Sequence, residues 1–164
     1  MKGQFFPYGD SIKTRRFPAV TVSLVAANII VFILSLSNFE AVIGTFGFVP
    51  SLFPSIFAVI TIFTSMFLHG GVDHIFGNMW YLWIFGDNVE DKLGKLRFIL
   101  VYLISGIVAS LVQYVTDTSS AIPSIGASGA VSGILGFYIV MFPNSRVTTS
   151  AGYWINEIPA RFVI

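Results

Sequence analysis

The sequence predicts an all-α polytopic membrane helical bundle with four complete spans and the start of a fifth. Three observations carry this expectation. Of 164 residues, 55% are hydrophobic and 10% are charged, where soluble domains carry roughly a quarter of their residues as charged ones. Apolar segments recur at spanning or near-spanning length. Counting four spans also places the lysines and arginines on one side of the membrane. The chain then divides into a cytoplasmic N-terminal segment, 1–16, and a partial membrane domain, 17–164.

Phe17–Leu36 is the first span, about 20 apolar residues for a hydrocarbon core of about 30 Å. Lys13, Arg15 and Arg16 precede it as they would a signal sequence. The run is longer than a signal core, lacks a clear A-x-A site, and is followed by further apolar segments. Asn38–Phe53 contains Gly44, Gly47, Pro50 and Pro54 follows it, so it is expected partly in the interface rather than across the bilayer. Ile56–Phe67 is a short apolar stretch, part helix and part re-entrant or interfacial. The second span runs roughly from Asp73 to Phe85, after a turn at His69-Gly70-Gly71. A polar charged segment from Gly86 to Arg97 leads to the third span, Phe98–Val115. Ile125–Phe142 is the fourth, and Glu157-Ile158-Pro159-Ala160 reads as the start of another helix.

With this count, Lys2, Lys13, Arg15, Arg16, Lys92, Lys95, Arg97 and Arg146 share one side. The opposite loops carry only Glu40 and Asp117, and Arg161 is unassigned. The N-terminus is therefore expected in the cytoplasm of a multi-pass protein of the plasma (inner) membrane. The absence of cysteine excludes disulfides and thiolate metal sites. No basic stripe or module points to nucleic acid.

This topology brings polar side chains to one level. The second span starts outside, with His74 near its outer end and Asn78 about 6 Å deeper. The fourth also starts outside, with Ser128 at a depth like that of His74. Polar residues inside a span are candidate functional residues. Ser128 lies in Gly126-Ala127-Ser128-Gly129-Ala130, where flanking glycines let a substrate backbone approach. A serine there is either a nucleophile awaiting a base or part of a small-residue ridge with Ser132 and Gly136. His74 and Asn78, spaced i, i+4, share a face and either donate to an oxyanion or hydrogen-bond across the bundle. His69 is expected to brace the outer loop, and Asp73 to cap the second span. A metal site on His69, Asp73 and His74 lacks zinc-helix spacing. Glu90 and Arg97 are expected to pair near the cytoplasmic face or to lie solvated, and Gly106 with Ser110 to pack.

These motifs, in this order, resemble the rhomboid family of intramembrane serine proteases. His74-x-x-x-Asn78 resembles its helix-two signature, His69 its upstream histidine, and Gly126–Gly129 its G-x-S-G motif. The resemblance runs from about Phe17 to Pro159. It implies Ser128 as nucleophile, with His74, Asn78 and the Ser128 backbone N–H as the oxyanion hole, and Gly133 and Gly136 packed on a later helix. It implies no cofactor and no metal. It also implies a six-helix unit whose base is a histidine on the sixth helix, whereas His69 and His74 are the only histidines here. The expected function is cleavage of transmembrane or membrane-anchored protein substrates near the outer face by a Ser-His dyad completed outside these residues. The alternative is a non-proteolytic rhomboid-like protein that binds transmembrane segments. A small transporter is disfavoured, because the polar residues cluster at one end of the bundle.

Overall fold

The computed structural model describes residues 6–151 and 154–164; Lys2, counted in the topology above, lies outside them. A long helix α1, Ala19–Ser35, passes through a tight turn at Leu36–Asn38 into α2, Phe39–Phe46. A second turn at Pro50–Leu52 leads to α3, Ile56–Ser65, then α4, Val72–Leu93, α5, Lys95–Thr116, and α6, Ser128–Met141. The α1–α2 stretch of 28 residues and the 22-residue α5 are long and apolar enough to cross a membrane. These helices fit an integral membrane protein with more than one span.

Side-chain exposure on α5 shows the same preference. Leu96, Leu100, Ile104, Val108 and Val112 recur every four residues, and all are exposed. A soluble protein seldom displays so long an apolar stripe, whereas hydrocarbon accepts it. The opposite face of α5 is buried through Phe98, Tyr102 and Gly106. Helix α6 lies against both α4 and α5, and α1 against α4. Leu82, Phe85, Phe98, Tyr102, Ile134 and Tyr138 form the centre of the core, all fully buried.

Three sequence expectations are corrected. The charged segment after Phe85 is helical to Leu93, because its polar groups find tertiary partners. Glu90, 4% exposed, accepts from the Val20 N–H (3.0 Å), the Thr21 N–H (2.7 Å) and the Thr21 hydroxyl (2.8 Å). It satisfies the open N-terminal turn of α1 and makes no pair with Arg97. Helix α4 stops where Gly94 takes φ +80°, a left-handed value that glycine adopts without steric cost. Second, the bundle is mostly, not wholly, helical. Strands β1, Phe6–Asp10, β2, Arg146–Ala151, and β3, Trp154–Pro159, form an antiparallel sheet in the order β1-β2-β3. The stretch expected to begin a fifth helix is therefore strand up to Pro159, followed by one short turn at Ala160–Phe162. Third, Gly133 does not face a later helix. A Cβ there would strike the Ser105 side chain of α5, while one at Gly136 would meet nothing within 4 Å.

The sheet is tied to the helices by polar contacts. Asp10 Oδ2 accepts from the Tyr138 hydroxyl (2.6 Å) and the Asn88 amide (2.8 Å). The Trp80 indole N–H donates to the Pro7 carbonyl (2.7 Å). Burial raises the Asp10 carboxyl above its usual range, against the pull of these hydrogen bonds.

Candidate active site

Ser128 is the first residue of α6, directly after a turn that depends on Gly126. The φ of Gly126 is +121°, and a Cβ at that position would sit 2.7 Å from His74 Nε2 and 3.8 Å from Ser128 Oγ. Both conformation and proximity exclude a side chain there, so the serine and the histidine border the same bare stretch of backbone. The approach to this turn is fixed from outside. Phe48 and Ser124 exchange two backbone hydrogen bonds (3.0 and 2.7 Å), and the Gly126 N–H donates to the Ser65 carbonyl (2.9 Å). The loops before α3 and before α6 are thus held together.

His69 completes that brace. It is 1% exposed, and its Nε2 accepts from the Ala127 N–H at 3.5 Å. It lies in the connection between α3 and α4, outside both helices. Burial first, and then the neighbouring His74, push its pKa down to about 4. It is therefore neutral near pH 7, as an acceptor must be.

His74 occupies the first turn of α4 and stands edge-on to His69, with ring centroids 5.1 Å apart. Its Nδ1 accepts from the Gly70 N–H at 3.3 Å. One helical turn deeper, Asn78 is 8% exposed and donates from Nδ2 to the His74 carbonyl at 2.9 Å. His74, Asn78 and Ser128 line one cleft of about 360 Å³ between α4 and α6, floored by Tyr81, Val131 and Leu135. The three sequence-predicted site residues thus border a single shallow, open groove. No hydrogen bond joins Ser128 Oγ to a nitrogen base among the described residues. Asp73 is exposed in the first turn of α4 and makes no capping bond, although its charge suits the positive helix end.

A second cleft, of about 240 Å³, opens on the other side of Ser128 between α6 and α5. Ser65, Ser110, Gln113, Ser124 and Ser132 contribute to its lining. Sequence reasoning assigned Ser110 to helix contact and passed over Gln113. The available signal was their i, i+3 spacing in an apolar helix, which puts two polar groups on one face. A polar cavity of this size suits water.

Comparison with known proteins agrees with the motifs. A family model described as Rhomboid domain matches residues 56–160. The putative rhomboid protease YdcA of Bacillus subtilis (strain 168) is 39% identical over 86 residues, covering 51% of this chain and 43% of that protein. The mitochondrial presenilin-associated rhomboid-like protein of Mus musculus is 34% identical over 85 residues, covering 51% of this chain and 22% of the relative. RHOMBOID-like protein 5 of Arabidopsis thaliana is 41% identical over 73 residues, 44% of this chain and 24% of the relative. The chain thus matches less than half the length of each of these relatives. Because the family model matches residues 56–160, more than half of this chain, the chain belongs to the rhomboid family.

Proposed function

We propose that this chain carries the nucleophile and oxyanion-binding groups of an intramembrane serine endopeptidase. It has four spans, α1, α4, α5 and α6, and a cytoplasmic N-terminus set by the basic residues. Ser128 then faces the outer side, where a transmembrane or membrane-anchored protein substrate would enter.

The observation that carries this reading is the hydrogen bond from the Gly70 N–H to His74 Nδ1. A backbone N–H can only donate, so neutral His74 keeps its proton on Nε2. Nε2 is the atom closest to where a Gly126 side chain would start, two residues before Ser128, and there it acts as a donor rather than as a base. Ser128, at the first position of α6, adds its backbone N–H and the positive end of the helix. Asn78 spends one amide N–H on the His74 carbonyl and keeps the other. Attack of Oγ on a peptide carbonyl forms a C–O bond and places charge on the carbonyl oxygen, where these donors receive it. Collapse expels the amine and leaves an acyl-serine, and water from the polar cleft beside Ser128 then releases the acid. The Oγ proton passes to a general base other than His69 and His74, and that base returns it to the departing amine.

The test is labelling of the full-length protein in membranes by a serine-reactive fluorophosphonate. Labelling is expected in the parent and absent in Ser128→Ala; equal labelling removes Ser128 as nucleophile. The second reading, a non-proteolytic protein of the same fold that binds transmembrane segments, is favoured by one observation. His69 is spent on the Ala127 N–H and His74 is held as a donor. It predicts substrate capture without cleavage by the full-length protein.

A further inference from the structure

The inner end of the bundle carries a cavity with a different chemistry. The last two turns of α4, the segment leading into α1, and Phe142 after α6 enclose a cleft of about 370 Å³. Lys13, Arg15, Arg16 and Lys92 line it, with Asp91 as the one acidic side chain. A smaller cleft of about 280 Å³ adjoins it at Arg16 and Asp91 and adds Lys95. Glu90 also borders the second cleft, but both of its oxygens are engaged by the start of α1. None of these five cations makes an ion pair among the described residues; the one ion pair there joins Arg146 and Glu157.

Five cations facing two carboxylates, Asp91 and the engaged Glu90, is a local excess that a solvated surface does not require. The segment bearing three of them is also held in place, since the Arg15 N–H donates to Asp91 Oδ2 at 3.2 Å. Cations gathered around a concavity suit an anion with several acceptor oxygens, above all a phosphate. The surroundings narrow the source. The cleft lies where α1 and α5 begin, the two helical stretches long and apolar enough to cross a membrane. Phe17 (73% exposed) and Leu96 (72% exposed) project beside it, which suits acyl chains and offers nothing to a free ion.

We propose that this paired cleft binds the phosphodiester head group of an anionic phospholipid, with Lys13, Arg16 and Lys92 as its principal contacts. The site is separate from Ser128 and does not depend on the reaction there. Bound lipid would tie the segment before α1 to the end of α4.

The test is native mass spectrometry of the protein released from nanodiscs of equimolar phosphatidylglycerol and phosphatidylcholine. The expected result is preferential retention of phosphatidylglycerol, reduced at least about fivefold in K13Q/R16Q/K92Q, since each cation near an anionic surface contributes a factor of about that size. The control R97Q/R161Q alters basic residues outside both clefts and should reduce retention less than K13Q/R16Q/K92Q does. Thermal unfolding of each variant in detergent establishes that it is folded; if the triple variant is not, the single variant K92Q is read instead, with a smaller loss expected. Equal retention of the two lipids, equal loss in the control pair, or displacement of the lipid by millimolar inorganic phosphate would overturn the proposal. Because the readout is bound lipid, it stands or falls apart from any proteolytic activity.

Discussion

The Gly70 backbone N–H donates to His74 Nδ1 over 3.3 Å, and on the proposed function this contact leaves Nε2 as the donor nitrogen of a neutral ring. A base for Ser128 would need a free lone pair on Nε2, but the neutral ring carries its proton there. In the full-length protein, His74→Ala is therefore expected to lower kcat by about 10²–10³-fold, the usual cost of one oxyanion donor. His74→Asn, which restores an amide donor, should recover part of that loss. Neither change should move the apparent pKa of the acid limb in the pH–rate profile, because that limb belongs to the base. Loss of the limb in His74→Ala would make His74 the base and refute the donor assignment.

The glycines of α6 divide by what lies opposite them. Gly133 has the Ser105 side chain against it and Gly129 has Ala109, whereas Gly136 faces open space. Gly133→Ala should destabilise the 164-residue chain by about 1–3 kcal/mol through overpacking. Gly136→Ala should be neutral or stabilise it by up to about 1 kcal/mol from helix propensity. Thermal unfolding in detergent separates them, and similar losses at both positions would contradict this arrangement of α5 and α6.

Glu90 should matter to stability more than its place in a charged stretch suggests. It is buried and accepts three hydrogen bonds from the first turn of α1. Glu90→Ala strands those donors and should cost about 2–3 kcal/mol. Glu90→Gln keeps one acceptor oxygen and should cost about half as much. Arg97→Gln should be silent, as no contact joins it to Glu90; a loss matching that of Glu90→Ala would restore the pair expected from the sequence.

The contrast between Glu90 and Ser128 shows what was legible in the chain. Hydropathy revealed α1 and α5 because their lipid-facing sides are uniformly apolar. The depth argument brought Ser128, His74 and Asn78 together because each follows closely on a turn at the same end of the bundle. The last two turns of α4 were hidden because their polar residues are held by partners far off in sequence, Glu90 by Thr21 and Asn88 by Asp10. The sheet was missed for a related reason. Val147, Thr148 and Thr149 do favour a strand, but β1 lies more than 130 residues away, and a short polar segment does not announce its pairing. The brace on the serine turn was partly visible. His69 was expected to hold the outer loop, but nothing in its spacing pointed to the Ala127 N–H.

That brace yields a dependence on pH. His69 is buried, accepts from the Ala127 N–H, and has its pKa pushed from 6.5 down to about 4 by burial and by His74. The unfolded chain binds a proton near pH 6.5, and the folded chain does not until about pH 4. Neutral His69 therefore contributes stability that is fully present above pH 6.5, declines as the pH falls from 6.5 to about 4, and changes no further below that. The loss across this window should be on the order of 3 kcal/mol. Protonation also removes the acceptor for Ala127, so the turn that presents Ser128 should loosen over the same range. His69→Gln retains an acceptor oxygen without titrating, and should flatten the slope of unfolding temperature between pH 4 and pH 6.5. An unchanged slope in His69→Gln would assign that acid sensitivity to other groups and remove His69 from the account.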